Sequence, residues 1–175
     1  FVAHETTDYK YNYLRKDDFG LLAFANEGQT YQTLDFGIND FTSFPEIGFK
    51  GKHFNFLQAN DINYYSVATP LTELYYKTVM EQGQNLDAFI TVNTSKNFNF
   101  SIAYKGLRSL GKYINQLSSS GNLRFTTNYQ TNNSRYGIKA HFTAQDISNG
   151  ENGGIVYPSN FESDDAAFSD RARLS

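Results

Sequence analysis

The residues of this sequence that could do chemistry carry charged or amide side chains and alternate with apolar residues along short segments. The set is Glu73, Lys77, Asn99, Lys105, Arg124, Lys139 and His141. Such groups on one surface can select ions and small solutes by electrostatics, without any covalent step. We predict that Arg124, Lys139 and His141 form a basic patch in this set, and a wetted face with no selective role is the alternative.

Other kinds of site have little support in the sequence. It contains no nucleophile elbow, phosphate loop or dinucleotide fingerprint, so we predict no catalytic residues and no cofactor. His4, His53 and His141 are far apart and there is no cysteine, which leaves no metal-ligand pattern. Residues 146–165 are rich in oxygen-bearing side chains that could hold calcium, but a mobile external loop explains that composition better. The net charge of −3 implies no attraction to nucleic acid.

The elements that must position the polar set are β-strands. Between Thr72 and Asp146, five segments alternate apolar and polar residues with a period of two, which is typical of strands with one apolar and one polar face. In the clearest of them, Phe98, Phe100, Ile102 and Tyr104 share one face. The sequence therefore predicts an all-β, antiparallel up-and-down meander.

The connections between these strands predict two rims of different character. Residues 94–96 and 131–134 read as tight turns, with Asn93 opposite Asn97 and Gln130 opposite Arg135. The second register places Arg124 opposite His141, so a carboxylate such as Glu73, or one on a strand outside this sequence, is expected near that cationic pair. On the other rim, residues 106–121 and 147–170 form longer links, and residues 82–85 form a short one. Short turns on one rim and long loops on the other are typical of a transmembrane β-barrel, whose short turns are periplasmic.

A barrel wall assigns a role to each face of the strands. The polar set given above becomes pore-lining. We predict that seven apolar residues face lipid: Phe98, Phe100, Ile102, Leu123, Phe125, Ile138 and Phe142. Four tyrosines near the ends of the strands are expected to form an aromatic girdle at the headgroups: Tyr76, Tyr104, Tyr129 and Tyr136.

The chain divides into a segment that is hard to interpret and a regular one. Residues 1–69 contain uncertain strands, around residues 9–14, 19–25 and 52–67, and could start a barrel or pack at its mouth; irregular surface structure is the alternative. Residues 70–175 form the barrel wall. Five or six strands are fewer than the eight or so that close a membrane barrel, so the chain is expected to be part of a longer protein. No apolar run approaches the roughly 18 residues of a membrane helix.

Several blocks of the sequence resemble the putative-porin family of bacteroidete outer membranes. They are residues 70–78, 81–84, 99–113, 121–127, 151–154 and 170–174, in family order, and the block ending at Tyr113 is the most distinctive. The resemblance implies a large barrel built from a longer chain, and it brings no catalytic residues.

We therefore expect an outer-membrane porin of a Gram-negative cell envelope that passes small solutes passively. The alternatives are a barrel subunit of a larger secretion or uptake complex, and a soluble secreted β-sandwich that binds glycan. The expected partners are outer-membrane lipid, lipopolysaccharide contacted by the cations of residues 105–112, and other envelope proteins.

Overall fold

The computed structural model describes residues 13–15, 21–23, 26–34, 55–79 and 83–174. Five of its strands form one antiparallel sheet: β3 (Leu71–Val79), β4 (Gly83–Ser95), β5 (Phe98–Ser109), β6 (Ser118–Gln130) and β7 (Gly137–Asn149). Two shorter strands, β1 (Leu21–Ala23) and β2 (Tyr31–Thr33), form a separate antiparallel ribbon. One short helix, α1 (Pro158–Glu162), follows the sheet, and 3₁₀ turns lie at Ala59–Asp61, Ala166–Phe168 and Arg171–Arg173. Within these ranges, no helix has the length and apolar character needed to cross a membrane.

The large sheet has the simplest possible topology. Its strand order is β3-β4-β5-β6-β7, so each strand pairs with the next one along the chain. The sequence predicted five antiparallel strands in a meander, and this is confirmed. The sheet is open in the part of the chain that the structure describes, because β3 pairs there only with β4 and β7 only with β6.

Both predicted hairpin registers are wrong by two residues. Asn93 pairs with Asn99 instead of Asn97, because a bulge between Asn93 and Ser95 precedes the two-residue turn Lys96–Asn97. Gln130 pairs with Gly137 instead of Arg135. Because side chains alternate with a period of two, a slip of two residues leaves every side chain on its predicted face.

The second turn is longer than predicted because side chains satisfy its backbone groups. The Thr131 amide donates to the Tyr136 carbonyl at 3.0 Å, and the Arg135 amide donates to Asn133 Oδ1 at 3.1 Å. Ser134 adopts a positive φ of 54°. This closure spans residues 131–136 and displaces the start of the ladder to Gly137.

The strands also extend further toward the long-loop rim than the alternation indicated. Ser109 still pairs with Ser118, so the connection between β5 and β6 covers only residues 110–117 instead of 106–121. Glycine and serine occupy much of this extension, and they carry no apolar signal that a period of two could reveal. The loop contacts the C-terminal residues: the Gly150 amide donates to the Leu117 carbonyl at 2.7 Å, and the Ile114 amide to the Ala172 carbonyl at 3.3 Å. The predicted link at residues 82–85 begins outside the described residues, and β4 starts at Gly83.

The described residues cover only part of the N-terminal segment. Strand β1 falls inside the predicted apolar run of residues 19–25, whereas the described residues 55–67 contain a 3₁₀ turn and no strand. The strand expected around residues 9–14 lies mostly outside the described residues, and Tyr13 itself occupies a turn. Tyr13, Leu14, Tyr31 and Leu107 are buried together, with Leu21 packed against them. This small apolar core joins the N-terminal residues to β5.

Gly28 is a critical position for this core. Its φ is +88°, and a Cβ there would lie 2.0 Å from Leu107 Cδ2. We expect Gly28→Ala to release the N-terminal residues from the sheet, because it adds a clash to the cost of a left-handed backbone, about 1 kcal/mol. Gly153→Ala is the matched control, since Gly153 has φ +76° but no atom within 4 Å of its Cβ position.

Limited proteolysis of residues 13–67 measures the effect. Faster cleavage in Gly28→Ala than in Gly153→Ala is the expected result. Equal rates in the two variants would show that the contact between Gly28 and Leu107 does not hold this segment.

Candidate pore-lining face

The covered face of the five-stranded sheet is polar. Its buried polar residues are Asn85, Thr91, Asn99, Ser101, Lys105, Ser109, Ser118, Ser120, Asn122 and Thr126. Thr91 is 0 % and Asn99 2 % exposed. In a water-soluble protein, burial is expected to select apolar side chains instead. We call this surface the inner face.

The opposite surface, the outer face, is apolar and uncovered. Leu74 is 71 %, Ile138 63 % and Phe142 60 % exposed. One cross-strand row of this face consists of Thr72, Ile90, Ile102, Phe125 and Phe142. Large exposed apolar patches mark contact with a partner or a membrane.

The apolar band on the outer face has about the height of a membrane-barrel band. Along β6, outward residues run from Tyr129 to Gly121, which is about 27 Å of strand at about 3.4 Å per residue. A tilt of about 40° reduces this to roughly 20 Å, against about 25 Å for outer-membrane barrels. The next outward row is entirely polar and consists of Thr78, Gln84, Arg108, Ser119 and Ser148.

The sheet places all seven predicted pore-lining residues on the inner face. Glu73 and Arg124 share one cross-strand row, separated by Phe89 and Ala103. The predicted pairing of Arg124 with His141 is wrong, because Arg124 lies opposite Thr143 and His141 lies opposite Thr126. The two-residue slip at the turn causes this difference.

Two of the seven residues form ion pairs with the N-terminal segment. Arg15 Nη2 lies 2.8 Å from Glu73 Oε1, and the Arg15 guanidinium lies 4.6 Å from the centre of the Tyr75 ring. Lys77 Nζ lies 3.3 Å from Glu27 Oε1. Glu73, one candidate for a carboxylate near Arg124 and His141, pairs instead with Arg15 of the N-terminal residues.

Three more of the seven residues contact N-terminal tyrosines. Lys105 Nζ lies 4.6 Å from the centre of the Tyr13 ring, a cation–π geometry. His141 Nδ1 is hydrogen-bonded to the Tyr64 hydroxyl at 2.7 Å, and Lys139 Nζ lies 5.5 Å from the centre of the Tyr64 ring. Asn99 is bonded within the sheet, donating to Thr91 Oγ1 at 3.0 Å and to Asn93 Oδ1 at 2.6 Å.

Neutral hydrogen bonds complete the contact between the N-terminal segment and the inner face. The Tyr13 hydroxyl donates to Ser120 Oγ at 2.7 Å and accepts from Asn55 Nδ2 at 2.7 Å. Gln145 pairs with both backbone groups of Leu57, at 2.9 and 2.8 Å. Asn26, itself buried, donates to the Gln116 carbonyl at 2.6 Å and accepts from Ser109 Oγ at 2.6 Å.

Some buried polar atoms on the inner face lack a hydrogen bond among the described residues. They are both side-chain polar atoms of Asn85, Oδ1 of Asn122 and Nε of Arg124. Each such group costs about 1–3 kcal/mol if it stays dry. Among the described residues, the contact between the N-terminal segment and the sheet is therefore largely polar, unlike the core of a soluble domain.

The predicted girdle tyrosines are all exposed, but Tyr104 is not near a strand end. It lies in the middle of β5, because β5 continues to Ser109. Its ring lies over Gly106, where a Cβ would come within 2.9 Å of the Tyr104 hydroxyl oxygen. The hydroxyl group is thus directed along the sheet toward the long-loop rim.

Two further sequence-based predictions concern a cationic loop and metal ligands. The expected cationic loop loses two members, since Lys105 and Arg108 lie in β5 and only Lys112 lies in the loop. Within the described ranges, no three histidine or acidic side chains are grouped as metal ligands.

The sequence did not reveal that the N-terminal segment covers the inner face, or that Tyr13, Asn26 and Asn55 contact it. One signal was present in the small residues at positions 118–121, Ser-Ser-Ser-Gly. Small side chains on a wall allow another segment to approach its backbone closely, and long charged ones would prevent that approach.

The ionisation of Tyr13 tests whether the N-terminal segment covers the inner face. Tyr13 lies outside the strands, and burial raises its pKa from the ordinary 10.0 to about 12. A raised pKa stabilises the folded state fully below pH 10, and this contribution is lost as pH rises from 10 to 12. Tyrosine-labelled NMR of the protein and of Tyr13→Phe should show one resonance that titrates near pH 12 and disappears in the variant. If the resonance that is absent from Tyr13→Phe titrates near pH 10 in the unsubstituted protein, the buried position of Tyr13 is contradicted.

Comparison with known protein families identifies the family to which this chain belongs. The family model described as "Putative porin" matches residues 4–175, which covers nearly the whole chain and reaches further toward the N-terminus than the motifs alone indicated. Searches among curated proteins and among solved structures found no match. With a polar covered face and an apolar free face on one antiparallel meander, the chain belongs to the putative porin family.

Proposed function

We propose that this chain forms part of the wall of an outer-membrane β-barrel that passes small polar solutes passively, without catalysis. The observation that carries the proposal is the distribution of burial: the inner face is polar and covered, and the outer face is apolar and exposed. Lipid stabilises such an outer face. The apolar side chains need no hydrogen-bond partners there, and pairing between strands satisfies the backbone groups. Membership of the porin family supports the same conclusion.

The proposal includes a role for the N-terminal residues. They lie on the face that would line the lumen, and they form ion pairs, cation–π contacts and hydrogen bonds with it. We infer that the described part of residues 13–67 occupies the lumen beside this wall and narrows it. The predicted pore-lining residues then hold this segment in place. They face solute only where the segment leaves part of the wall uncovered.

A glycan-binding sandwich needs a second sheet on the phenylalanine-bearing face. Among the residues described, the only other sheet is the ribbon of β1 and β2, which packs through Leu21 against the core on the inner face. The exposure of Phe125 and Phe142 therefore favours the barrel wall.

Contact with lipid can be measured directly because the chain contains no tryptophan. We expect the fluorescence of Phe142→Trp, in protein reconstituted into bilayers, to be quenched strongly by lipids brominated on their acyl chains. Thr143→Trp is the matched control, since the next residue in β7 points to the inner face. Equal quenching at the two positions would refute the assignment of the faces.

Restriction of the lumen by the N-terminal segment gives a second prediction. The chain has no cysteine, so Tyr64→Cys with His141→Cys can be linked by a short bis-maleimide across their present contact. We expect the link to reduce solute flux into proteoliposomes several-fold, because a tethered segment cannot move aside.

The control link joins Thr126→Cys to His141→Cys, two residues that face each other on neighbouring wall strands. It should leave the flux unchanged. If the first link also leaves the flux unchanged, solute does not pass the N-terminal segment and the inferred restriction is wrong.

A further inference from the structure

A polar cavity of about 250 Å³ opens at the short-turn rim, between the N-terminal segment and the sheet. Six of its lining residues carry side-chain amides: Asn93, Asn97, Asn99, Asn128, Gln130 and Asn132. Hydroxyl groups of Ser66, Thr131 and Ser134 add to them. We call this cavity the amide pocket.

The chemistry of the amide pocket is almost uncharged. Lys96 is the one charged residue among the lining residues described, and no carboxylate is present there. An amide side chain offers two donors and an acceptor oxygen, and a hydroxyl group both donates and accepts. A surface of this kind matches ligands that also donate and accept at every polar atom, which is the pattern of a sugar or polyol.

Hydrogen bonds orient several side chains of the amide pocket and leave other donors and acceptors available to a ligand. Asn99 bridges Thr91 and Asn93, and Asn97 donates to Asn132 across the two turns. Asn128 donates to the Tyr65 carbonyl at 3.3 Å, and Asn93 accepts from the Val67 amide at 3.2 Å. These contacts fix the orientation of several amides, and each amide retains further donor or acceptor positions.

The size of the pocket suits a small ligand. Drug-sized ligands occupy cavities of about 300 Å³ or more, so 250 Å³ suits a molecule of about one sugar ring. The same space would otherwise hold roughly eight waters. We propose that the amide pocket is a binding site for a neutral monosaccharide or polyol at the mouth of the lumen. This inference rests on the proposed function, and it names the class of solute.

The test uses the reconstituted protein, with glucose as the neutral probe and gluconate as the anionic one. Saturation-transfer NMR and calorimetry should show saturable glucose binding. The double variant Asn97→Ala with Gln130→Ala should weaken it roughly tenfold, as expected for the loss of two hydrogen bonds. Asn63→Ala is the matched control, because Asn63 is an exposed amide on the adjoining segment that does not line the pocket.

Lys96→Gln separates a sugar site from an anion site. Glucose binding should be unchanged in this variant. Gluconate binding that is much tighter than glucose binding, and that Lys96→Gln abolishes, would overturn the proposal in favour of an anion site. Absence of glucose binding, or equal loss in Asn63→Ala and the double variant, would also overturn it.

Failure of this inference can be told apart from failure of the porin proposal. Quenching of Phe142→Trp by brominated lipid, measured on the same preparation, reports insertion of the wall independently of any sugar. Quenching without glucose binding removes the amide pocket as a sugar site and leaves the barrel wall intact. Glucose binding without quenching retains the pocket and rejects the membrane wall.

Discussion

A β-sheet satisfies its backbone hydrogen bonds in the same way whichever of its faces is dry, so side chains alone decide which solvent each face can meet. Here the N-terminal residues cover the face that carries serine, threonine and asparagine, and they leave phenylalanine, isoleucine and tyrosine uncovered. The reverse would be expected in water, since burial of apolar area is the main favourable contribution to folding. This inverted arrangement sets the character of both faces.

Polar contacts are consequently prominent in the described part of the interface. Among the described residues, Tyr13, Leu14, Tyr31 and Leu107 form a buried apolar cluster near one rim of the sheet, with Leu21 packed against it. Elsewhere the described contacts are the ring contact between Tyr65 and Phe89 and directional bonds with modest net energies, about 1 kcal/mol each. Such an interface specifies position well and stores little stability.

The charged residues illustrate why function cannot be assigned from type and face alone. Glu73 and Lys77 could have formed a ring of free charges on an open wall. Their pairing with Arg15 and Glu27 instead neutralises them locally. The inner face therefore carries fewer unpaired charges than its composition indicates, and neutral amides gather at the short-turn rim.

The five strands, their order and the face of each side chain in the alternating segments could be predicted from the sequence, because a period of two is a local property that survives a slip of two residues. The sequence also indicated the family, through motifs that the family model extends over residues 4–175. The folded structure was needed for the registers, since Asn133 helps to lengthen the second turn and the bulge before Ser95 shifts the first. It alone decided what covers the inner face, because the contacts of Tyr13, Asn26 and Asn55 join residues 65 to 107 positions apart. Local patterning carries no information about contacts at that distance along the chain.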